Sequence, residues 1–336
     1  MVGSWLFLSA LRRTLRGRAA AWVGSLAVSL ALGGCDSCAP DPPSAPADAA
    51  EGVADAATES SAPVPADASE ADADADAAPS EAEHRCRHDM VRVARRYCVD
   101  RFEAVLVDVA TGANISPYYP PKRKTAMSLE TYWSKEPLGM DGEQEAQIPL
   151  PELPVWQKAK DFEPRATSHR GVVPQGYTSG ELAALACKNA GKRLCSLDEW
   201  RTACRGERQQ AFPYGDTYAA GQCNIFREGH PAMILHGNAS IGHSDPRLNQ
   251  VKVKGRTLLR ETGATPTCLS EWEGDAIADM VGNLDEWIDD PEGTFVGGFF
   301  SRSKKDGCAS TITGHTFDYF DYSTGVRCCM DLGADP

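Results

Sequence analysis

The chain has 336 residues, of which 42% are hydrophobic and 24% charged, so it is long enough for one large domain or two small ones. Its net charge of −13 is uneven, because residues 36–83 hold 13 acidic residues and no lysine or arginine, whereas the first 35 residues hold four arginines and no acid. The acidity therefore belongs to one segment, and the sequence contains no basic nucleic-acid-binding patch, which excludes a nucleic-acid partner.

The first 34 residues have the pattern of a bacterial lipoprotein signal peptide. Four arginines precede the apolar residues 19–32, and Leu32-Gly33-Gly34-Cys35 resembles a lipobox, in which the cysteine is lipidated after cleavage. We expect Cys35 to anchor the chain to a membrane of the cell envelope, facing the periplasm or the surface. The alternatives are an ordinary signal peptide or a single membrane anchor, although the apolar run is short for a membrane span.

Residues 35–84 consist mainly of alanine, proline and acidic residues. They contain almost no large apolar side chain, so ordering them would cost more conformational entropy than burial returns. We expect a disordered tether whose acidic side chains repel one another and extend it.

The domain is expected over residues 85–332, beginning with two short strands. Residues 90–93 and 97–103 carry the strand pattern around a turn, and Cys86 and Cys98 bracket this hairpin as candidates to pair. From residue 116 to 174 the chain has many prolines and few periodic runs, which indicates long packed loops more than regular elements.

Two helices are predicted next, on either side of a Gly-Lys-Arg-Leu turn. Thr178 or Ser179 opens a stretch of helix-forming residues at 181–190 that Gly191 ends. Ser196 and Glu199 have the spacing of a capping box, which predicts that a second helix starts at Leu197.

Several further motifs follow one another in a fixed order up to residue 328. The series is Cys187, Gly191-Lys192-Arg193-Leu194, Glu199-Trp200, Cys204-Arg205-Gly206, Phe212-Pro213-Tyr214-Gly215, Asn224-Ile225, Asp279 to Trp287, Gly297-Gly298 and Gly325-Val326-Arg327-Cys328. This order resembles the sulfatase-modifying factor or formylglycine-generating enzyme family, over roughly residues 86–331. The resemblance implies an irregular α+β fold related to C-type lectin-like domains, with two short helices, several small antiparallel sheets and many loops, held by disulfides and calcium.

Ten cysteines follow residue 80, and in an exported chain they are expected to form disulfides. The family's pairing, transferred to this sequence, joins Cys187 with Cys328 and Cys204 with Cys308. For the four that remain besides the hairpin pair, we favour Cys195 with Cys329 and Cys223 with Cys268, and the other pairings stay open.

The segment from Asp279 to Glu286 offers only oxygen ligands, the set that calcium prefers. The resemblance implies a calcium site here. Its ligands would be the side chains of Asp279 and Glu286 and the main-chain oxygens of Gly282 and Leu284. A second family site begins at Asn224 and Ile225, but its remaining ligands have no match in this sequence. The alternative to calcium is a loop held by Asn283 and by the carboxylates acting as caps.

The resemblance breaks down where the family's chemistry lies. In the family, two thiolates after an Arg-Gly-Gly-Ser segment bind Cu(I), which activates oxygen to convert a substrate cysteine to formylglycine. Here Phe299 replaces the serine, Arg302 stands at the first thiolate position, and a gap removes the second. Cys308 is already assigned to a disulfide, and Asp285 replaces the aromatic residue that normally precedes Glu-Trp. Copper is therefore not expected.

Three histidines, His230, His236 and His243, are spaced six and seven residues apart. Distant relatives of the family use a histidine-rich iron site, but these spacings lack an i, i+4 pair, and we expect structural roles.

The expected function is recognition or assembly by a membrane-anchored extracytoplasmic domain that is not an enzyme. Its ligand would be an unknown protein or carbohydrate, by fold analogy alone. The alternatives are an oxygen-dependent oxidase of the formylglycine-generating type that modifies exported proteins, and a different chemistry in the same cleft.

Overall fold

The computed structural model describes residues 85–135, 148–225, 229–302 and 304–333. The predicted signal peptide, Cys35 and the acidic tether lie outside these residues. No helix within the described ranges has both the length and the apolar character needed to cross a bilayer.

A four-stranded antiparallel sheet joins the beginning of the domain to its end. Its strands lie in the order β1, β2, β14, β5. They are β1 (Met90–Val93), β2 (Tyr97–Asp100), β5 (Arg193–Leu194) and β14 (Cys328–Asp331). The hairpin predicted around residues 90–103 is β1 and β2, and Val91 pairs with Val99.

A second four-stranded sheet carries the motif from Asp279 to Trp287. Its order is β12, β11, β10, β13, where β10 is Asp285–Trp287, β11 is Phe295–Val296, β12 is Thr311–Ile312 and β13 is Thr324–Gly325. The pair of β10 and β13 is parallel, with Glu286 opposite Gly325, so this sheet is mixed, whereas the expected small sheets were antiparallel. The long connection between these two strands makes a parallel pair possible.

Three two-stranded antiparallel sheets complete the described strands. They pair β3 (Ala104–Asp108) with β4 (Pro164–Ser168), β6 (Lys252–Val253) with β7 (Arg256–Thr257), and β8 (Leu269–Trp272) with β9 (Asp275–Ala278). Short 3₁₀ turns lie at Leu248–Gln250 and Gly307–Ala309.

Both helices predicted from local signals are present. Helix α3 (Gly180–Asn189) has Ser179 as its N-cap, and helix α4 (Leu197–Arg205) begins with the expected capping box between Ser196 and Glu199. Arg193, in the turn between them, also donates to the Glu199 carboxylate at 2.7 and 2.8 Å. The Gly-Lys-Arg-Leu motif is thus fixed to the first turn of α4.

The expectation of two helices was incomplete, whereas the expectation of more loop than regular structure over residues 116–174 holds for the positions that the structure describes there. This stretch also contains α1 (Arg123–Trp133), α2 (Val155–Ala159) and β4, and a further helix, α5 (Pro231–His236), follows later. Helix α1 has no side-chain cap, and only Ala126 and Trp133 are buried. It therefore lacks the sequence signals by which a helix is recognised.

The structure contains five disulfides, which join the cysteines in the expected pairs. These are Cys86–Cys98, Cys187–Cys328, Cys195–Cys329, Cys204–Cys308 and Cys223–Cys268. Two of them fasten neighbouring residues of β14 to α3 and to the segment before α4. The end of the chain is thereby held against the helices that carry the Gly-Lys-Arg-Leu motif, and the irregular, loop-rich α+β fold expected from the sequence is confirmed.

Candidate functional site

The second sheet places a group of charged and polar side chains inside the domain, which we call the buried junction. Its members are Glu103, Asp279, Asn283, Glu286 and Arg327, and each is at most 2% exposed. Glu286 lies on β10, and Arg327 lies between β13 and β14. The parallel pairing of β10 with β13 therefore brings this carboxylate and this guanidinium together.

Arg327 and Trp200 hold both oxygens of the Glu286 carboxylate. Arg327 Nε donates to both oxygens at 2.9 Å, and Trp200 Nε1 donates to Oε2 at 2.6 Å. Arg327 Nη2 also lies 2.8 Å from Oε1, so the carboxylate is hydrogen-bonded and its charge is balanced by the guanidinium. Arg327 also donates to two main-chain oxygens, those of Asp100 at 2.8 Å and Ala278 at 2.9 Å.

This arrangement bears on the expected calcium site at Asp279, Gly282, Leu284 and Glu286. Both Glu286 oxygens already accept hydrogen bonds and the carboxylate charge is paired with Arg327, so as folded this set does not fit calcium. The cation that balances the charge of Glu286 is the Arg327 guanidinium, which takes the place that calcium would have in the expected site. Among the residues that the structure describes, no three or more His, Cys, Asp or Glu side chains are grouped to hold a metal ion.

The other carboxylates of the buried junction are bonded to main-chain or amide nitrogens. Glu103 accepts from the Asn283 side chain at 2.6 Å and from Leu284 N at 3.0 Å, and Asp279 accepts from Gly263 N at 2.7 Å. Burial raises the pKa of Asp279 to about 6 and the pKa of Glu103 well above its usual range, which the neighbouring acids reinforce. Glu103 was not identified from the sequence, because it lies 180 residues from Asn283.

Asn224 and Ile225, the start of the second expected calcium site, lie directly against the segment from Asp279 to Glu286. Asn224 O accepts from Asn283 N at 2.9 Å. Gly282 has a φ of +85°, and a Cβ there would lie 2.4 Å from Asn224 O, so position 282 requires glycine. Asn224 Nδ2 donates to Leu258 O at 2.9 Å and to Asn283 Oδ1 at 2.8 Å. Asn224 Oδ1 is buried and has no hydrogen-bond partner among the described residues. One acceptor of this second set is thus available to a cation or a water.

A second group lies on the other side of β10, and we call it the Arg302 cluster. Its members are Asp285, Phe299, Arg302, His230 and Tyr322. The Arg302 guanidinium donates to the fully buried Asp285 carboxylate, and its centre lies 4.9 Å from the Phe299 ring centroid. Asp285 and Arg302, the two charged residues noted in the sequence as departures from the family pattern, therefore compensate each other's charge. A residue pair 17 positions apart in the sequence gave no local signal of this contact.

The Arg302 cluster is incompletely hydrogen-bonded. His230 Nε2 lies 3.1 Å from the Tyr322 hydroxyl, but His230 Nδ1, Asp285 Oδ1 and Arg302 Nε are buried without a hydrogen-bond partner among the described residues. Burial raises the pKa of Asp285 to about 7 against the opposing effect of Arg302. Burial likewise lowers the pKa of His230, so both side chains are pushed towards their neutral forms.

Of the other two histidines, one lies apart and one lies beside the Arg302 cluster. His236 stacks on Trp133 with ring centroids 5.4 Å apart, and its Nε2 lies 3.2 Å from Asp245. His243 Nε2 lies 2.7 Å from Ala239 O, and its ring centroid lies 5.8 Å from that of Tyr322 and 6.5 Å from that of His230. The sequence spacing did not predict that His230 and His243 lie together.

The sequence was compared with models of known protein families and with curated proteins. A family model described as Sulfatase-modifying factor enzyme 1-like domain matches residues 156–329, just over half of the chain. The chain belongs to this family. A search of curated proteins found no match.

Solved structures similar to this sulfatase-modifying factor family member share little sequence with it. The Major Tropism Determinant I1 variant is 10% identical with a TM-score of 0.34, over 73% of this chain and 52% of that one, so this chain spans about half the length of that structure. CarF is 13% identical with a TM-score of 0.33, over 70% of this chain and 86% of its own. PvdO from Pseudomonas aeruginosa is 12% identical with a TM-score of 0.31, over 70% and 80%.

Proposed function

We propose that this chain is a membrane-anchored, extracytoplasmic member of the sulfatase-modifying factor family that does not oxidise cysteine. It recognises a protein or carbohydrate ligand, or assembles with one. The observation that supports the proposal is the ion pair of Arg302 with Asp285. By the family resemblance, Arg302 stands at the position of the first copper-binding thiolate.

The disulfides support the same conclusion. Every cysteine from Cys86 onwards is bonded to another cysteine, including Cys308, which follows the Gly297-Gly298 segment and is joined to Cys204. Cu(I) needs soft ligands such as free thiolates, and a guanidinium cation at the same position repels it. The segment that holds copper in the family is therefore occupied here by a cation and a bonded sulfur.

The Arg302 cluster is the surface that we assign to recognition. Arg302 is partly exposed, with 19% of its side chain accessible, and it is stacked on an aromatic ring. Protein and sugar ligands offer hydroxyl, amide and carboxylate groups, which are the partners that the unpaired atoms of Asp285, Arg302 and His230 lack. A ligand that supplies these partners gains affinity because the buried polar atoms are already desolvated.

Calcium is proposed as a structural ligand at the Asn224 motif, in place of the set that includes Glu286. The support is the unpartnered Oδ1 of Asn224, whose two amide hydrogens are already donated to other acceptors. A bound cation there would lie against the main chain of Gly282 and Asn283. It would stabilise the contact between this stretch and the segment that carries Asn224.

Anchoring through Cys35 is tested by metabolic labelling with a fatty acid in the native bacterium. We expect label on the wild-type chain and on Cys38→Ser, and none on Cys35→Ser. Cys38 is the matched control because it is three residues away and outside the lipobox. Equal labelling of the two variants would contradict the anchoring proposal.

The absence of oxidase activity is tested by oxygen uptake. The purified chain, loaded with Cu(I) and given a cysteine-containing peptide, should consume oxygen no faster than the peptide with Cu(I) alone. Uptake that requires the folded chain and forms an aldehyde on the peptide would overturn the proposal.

A further inference from the structure

A small pocket lies beside strand β3, on the edge that does not pair with β4. On this edge Ile115 N donates to Leu106 O at 2.9 Å, and Gln175 N donates to Ala104 O at 2.9 Å. Leu106, Ile115 and Gln175 also line a pocket of about 190 Å³, which we call the β3 pocket. Two segments distant in sequence thus meet the same strand edge and leave a space next to it.

Hydrogen bonds hold the wall of the pocket that follows Ile115. Ser116 N donates to the side chain of Gln157 at 2.8 Å, which draws the chain away from β3. Ser116 O accepts from Gln175 Nε2 at 3.4 Å, so the two segments that meet β3 are also bonded to each other. The β3 pocket is therefore already formed before a ligand binds.

The lining of the pocket favours an apolar ligand. Six of the lining residues are apolar, namely Val105, Leu106, Ile115, Pro117, Val172 and Val173. The other two are Asn114, which is exposed, and Gln175, which is 0% exposed. None of the described lining residues is charged, so a charged ligand would lose its hydration without a compensating partner. An apolar cavity of about 150 Å³ can bind benzene, so the β3 pocket has room for a substituted aromatic ring.

Gln175 adds one polar requirement. Its Nε2 also donates to Tyr119 O at 3.0 Å and to Gly176 O at 2.7 Å, which fixes the other end of the amide as the oxygen. That oxygen, Oε1, is buried without a hydrogen-bond partner among the described residues. A buried water needs about two to four polar partners, which an apolar lining does not supply. The missing donor is better supplied by a molecule that is otherwise apolar.

We propose that the β3 pocket binds a small, neutral aromatic ring with one hydrogen-bond donor, a phenol or an indole, and that this donor bonds to Gln175 Oε1. The ring belongs either to a free molecule or to a tyrosine or tryptophan side chain of a partner protein, since both present the same chemistry. The inference uses no residue of the Arg302 cluster, so it holds whether or not that cluster binds a ligand.

The test is an NMR titration of the methyl-labelled full chain with indole. Methyl resonances of Val105, Leu106, Ile115 and Val172 should shift with a Kd of about 0.1 to 1 mM, in keeping with so small a ligand. Two isomers then test the hydrogen bond. The isomer 3-methylindole keeps the donor, whereas 1-methylindole lacks it and should bind about tenfold more weakly, because Oε1 stays unpaired. Equal affinity of the two isomers would contradict the proposal.

Two matched variants locate the binding. Val105→Phe fills the pocket and should abolish the response of the other lining methyl groups to indole. Val109→Phe should leave it unchanged, because Val109 follows β3, is 40% exposed and is not among the described residues that line the pocket. Binding that survives Val105→Phe, or that both variants lose alike, would place the ligand elsewhere and overturn the proposal.

A capped five-residue peptide with a central tryptophan distinguishes the two sources of the ring. Displacement of indole by this peptide assigns the pocket to a side chain of a partner protein. Binding of indole without binding of the peptide assigns it to a free molecule. If neither causes shifts of the lining methyl groups at about 10 mM, the pocket holds water alone and the inference is wrong.

Discussion

Two arginine–carboxylate pairs lie on opposite sides of β10, and they differ in how completely their polar atoms are satisfied. Glu286 and Arg327 are fully buried, and both oxygens of the carboxylate accept hydrogen bonds from Arg327 or Trp200. Asp285 and Arg302 are also in contact, but Asp285 Oδ1 and Arg302 Nε have no partner among the described residues. The neighbouring residues of one strand thus serve a complete network on one side and an incomplete one on the other.

This difference suggests different roles: the Glu286–Arg327 pair stabilises the fold, and the Asp285–Arg302 pair belongs to the candidate ligand site. A saturated network specifies how the strands pair and has no bonding capacity left for a ligand. An unsaturated one is costly in the free protein, and such a cost is typical of places where a ligand supplies the missing partners. The predictions that follow test whether the two pairs differ in this way, beginning with the largest expected effect.

Removing Arg327 should destabilise the domain most. Arg327→Met leaves Glu286 without its cation beside the buried Glu103 and Asp279, and we expect a loss of about 3 to 5 kcal/mol in the free energy of unfolding. Urea denaturation under non-reducing conditions measures it. A loss smaller than that of Arg302→Met would contradict the assignment of the buried junction as scaffold.

Removing Arg302 should lower the free energy of unfolding by less than removing Arg327 does. Arg302→Met leaves a single carboxyl group, which can take up a proton, so we expect a loss of about 1 to 2 kcal/mol at neutral pH. The same denaturation experiment gives the value. A cost equal to that of Arg327→Met would show that the two pairs serve the fold alike.

The pH dependence of stability should distinguish the pairs further. The pKa of Asp285 is about 7 in the folded chain and 3.8 as an ordinary aspartate, so between these values the folded state binds more protons than the unfolded state. Stability contributed by this group is therefore lost as the pH rises from about 4 to about 7. Asp279, with a pKa of about 6, acts in the same direction.

The variant Asp285→Asn isolates the contribution of one carboxyl group. Its free energy of unfolding should fall less steeply with pH than that of the wild type over the same range, since only the wild type titrates Asp285. Parallel pH profiles would mean that Asp285 is ionised throughout and that the Arg302 cluster is a satisfied ion pair.

Chelation of calcium should give the smallest change. If the Asn224 motif binds the ion, removing calcium should lower the melting temperature by a few degrees, at about 2 to 4 °C per kcal/mol for a domain of this size. Asn224→Ala should abolish this shift, whereas Arg302→Met should retain it. A melting temperature that is insensitive to chelation in the wild type would remove calcium from the account.

The sequence predicted the features that depend on neighbouring residues or on family motifs. The capping box at Ser196 and Glu199 is a local pattern, and helix α4 begins where it indicates. The family's order of cysteines implied the bond between Cys187 and Cys328 across 141 positions. Helix α1 was missed because it has no side-chain cap and buries few residues.

The contacts that distinguish the two pairs could not be predicted from the sequence. Asp285 and Arg302 were recognised separately as departures from the family, and only the fold shows that one neutralises the other. Glu286 was expected to hold calcium because its position matches a family ligand. Its hydrogen-bond donors come from Arg327 and Trp200, 41 and 86 residues away, so no local pattern indicates that both of its oxygens are already bonded.

The central claim is that this family member has no free thiol at the copper position, and alkylation of the unfolded, non-reduced chain tests it most directly. The chain has 12 cysteines, ten of which form the five disulfides, so mass spectrometry after treatment with iodoacetamide should find label on Cys35 and Cys38 at most. A wild-type chain with lipidated Cys35 should carry label on Cys38 alone. Stoichiometric labelling of two further cysteines, with Cys308 among them, would contradict the account and restore a copper oxidase.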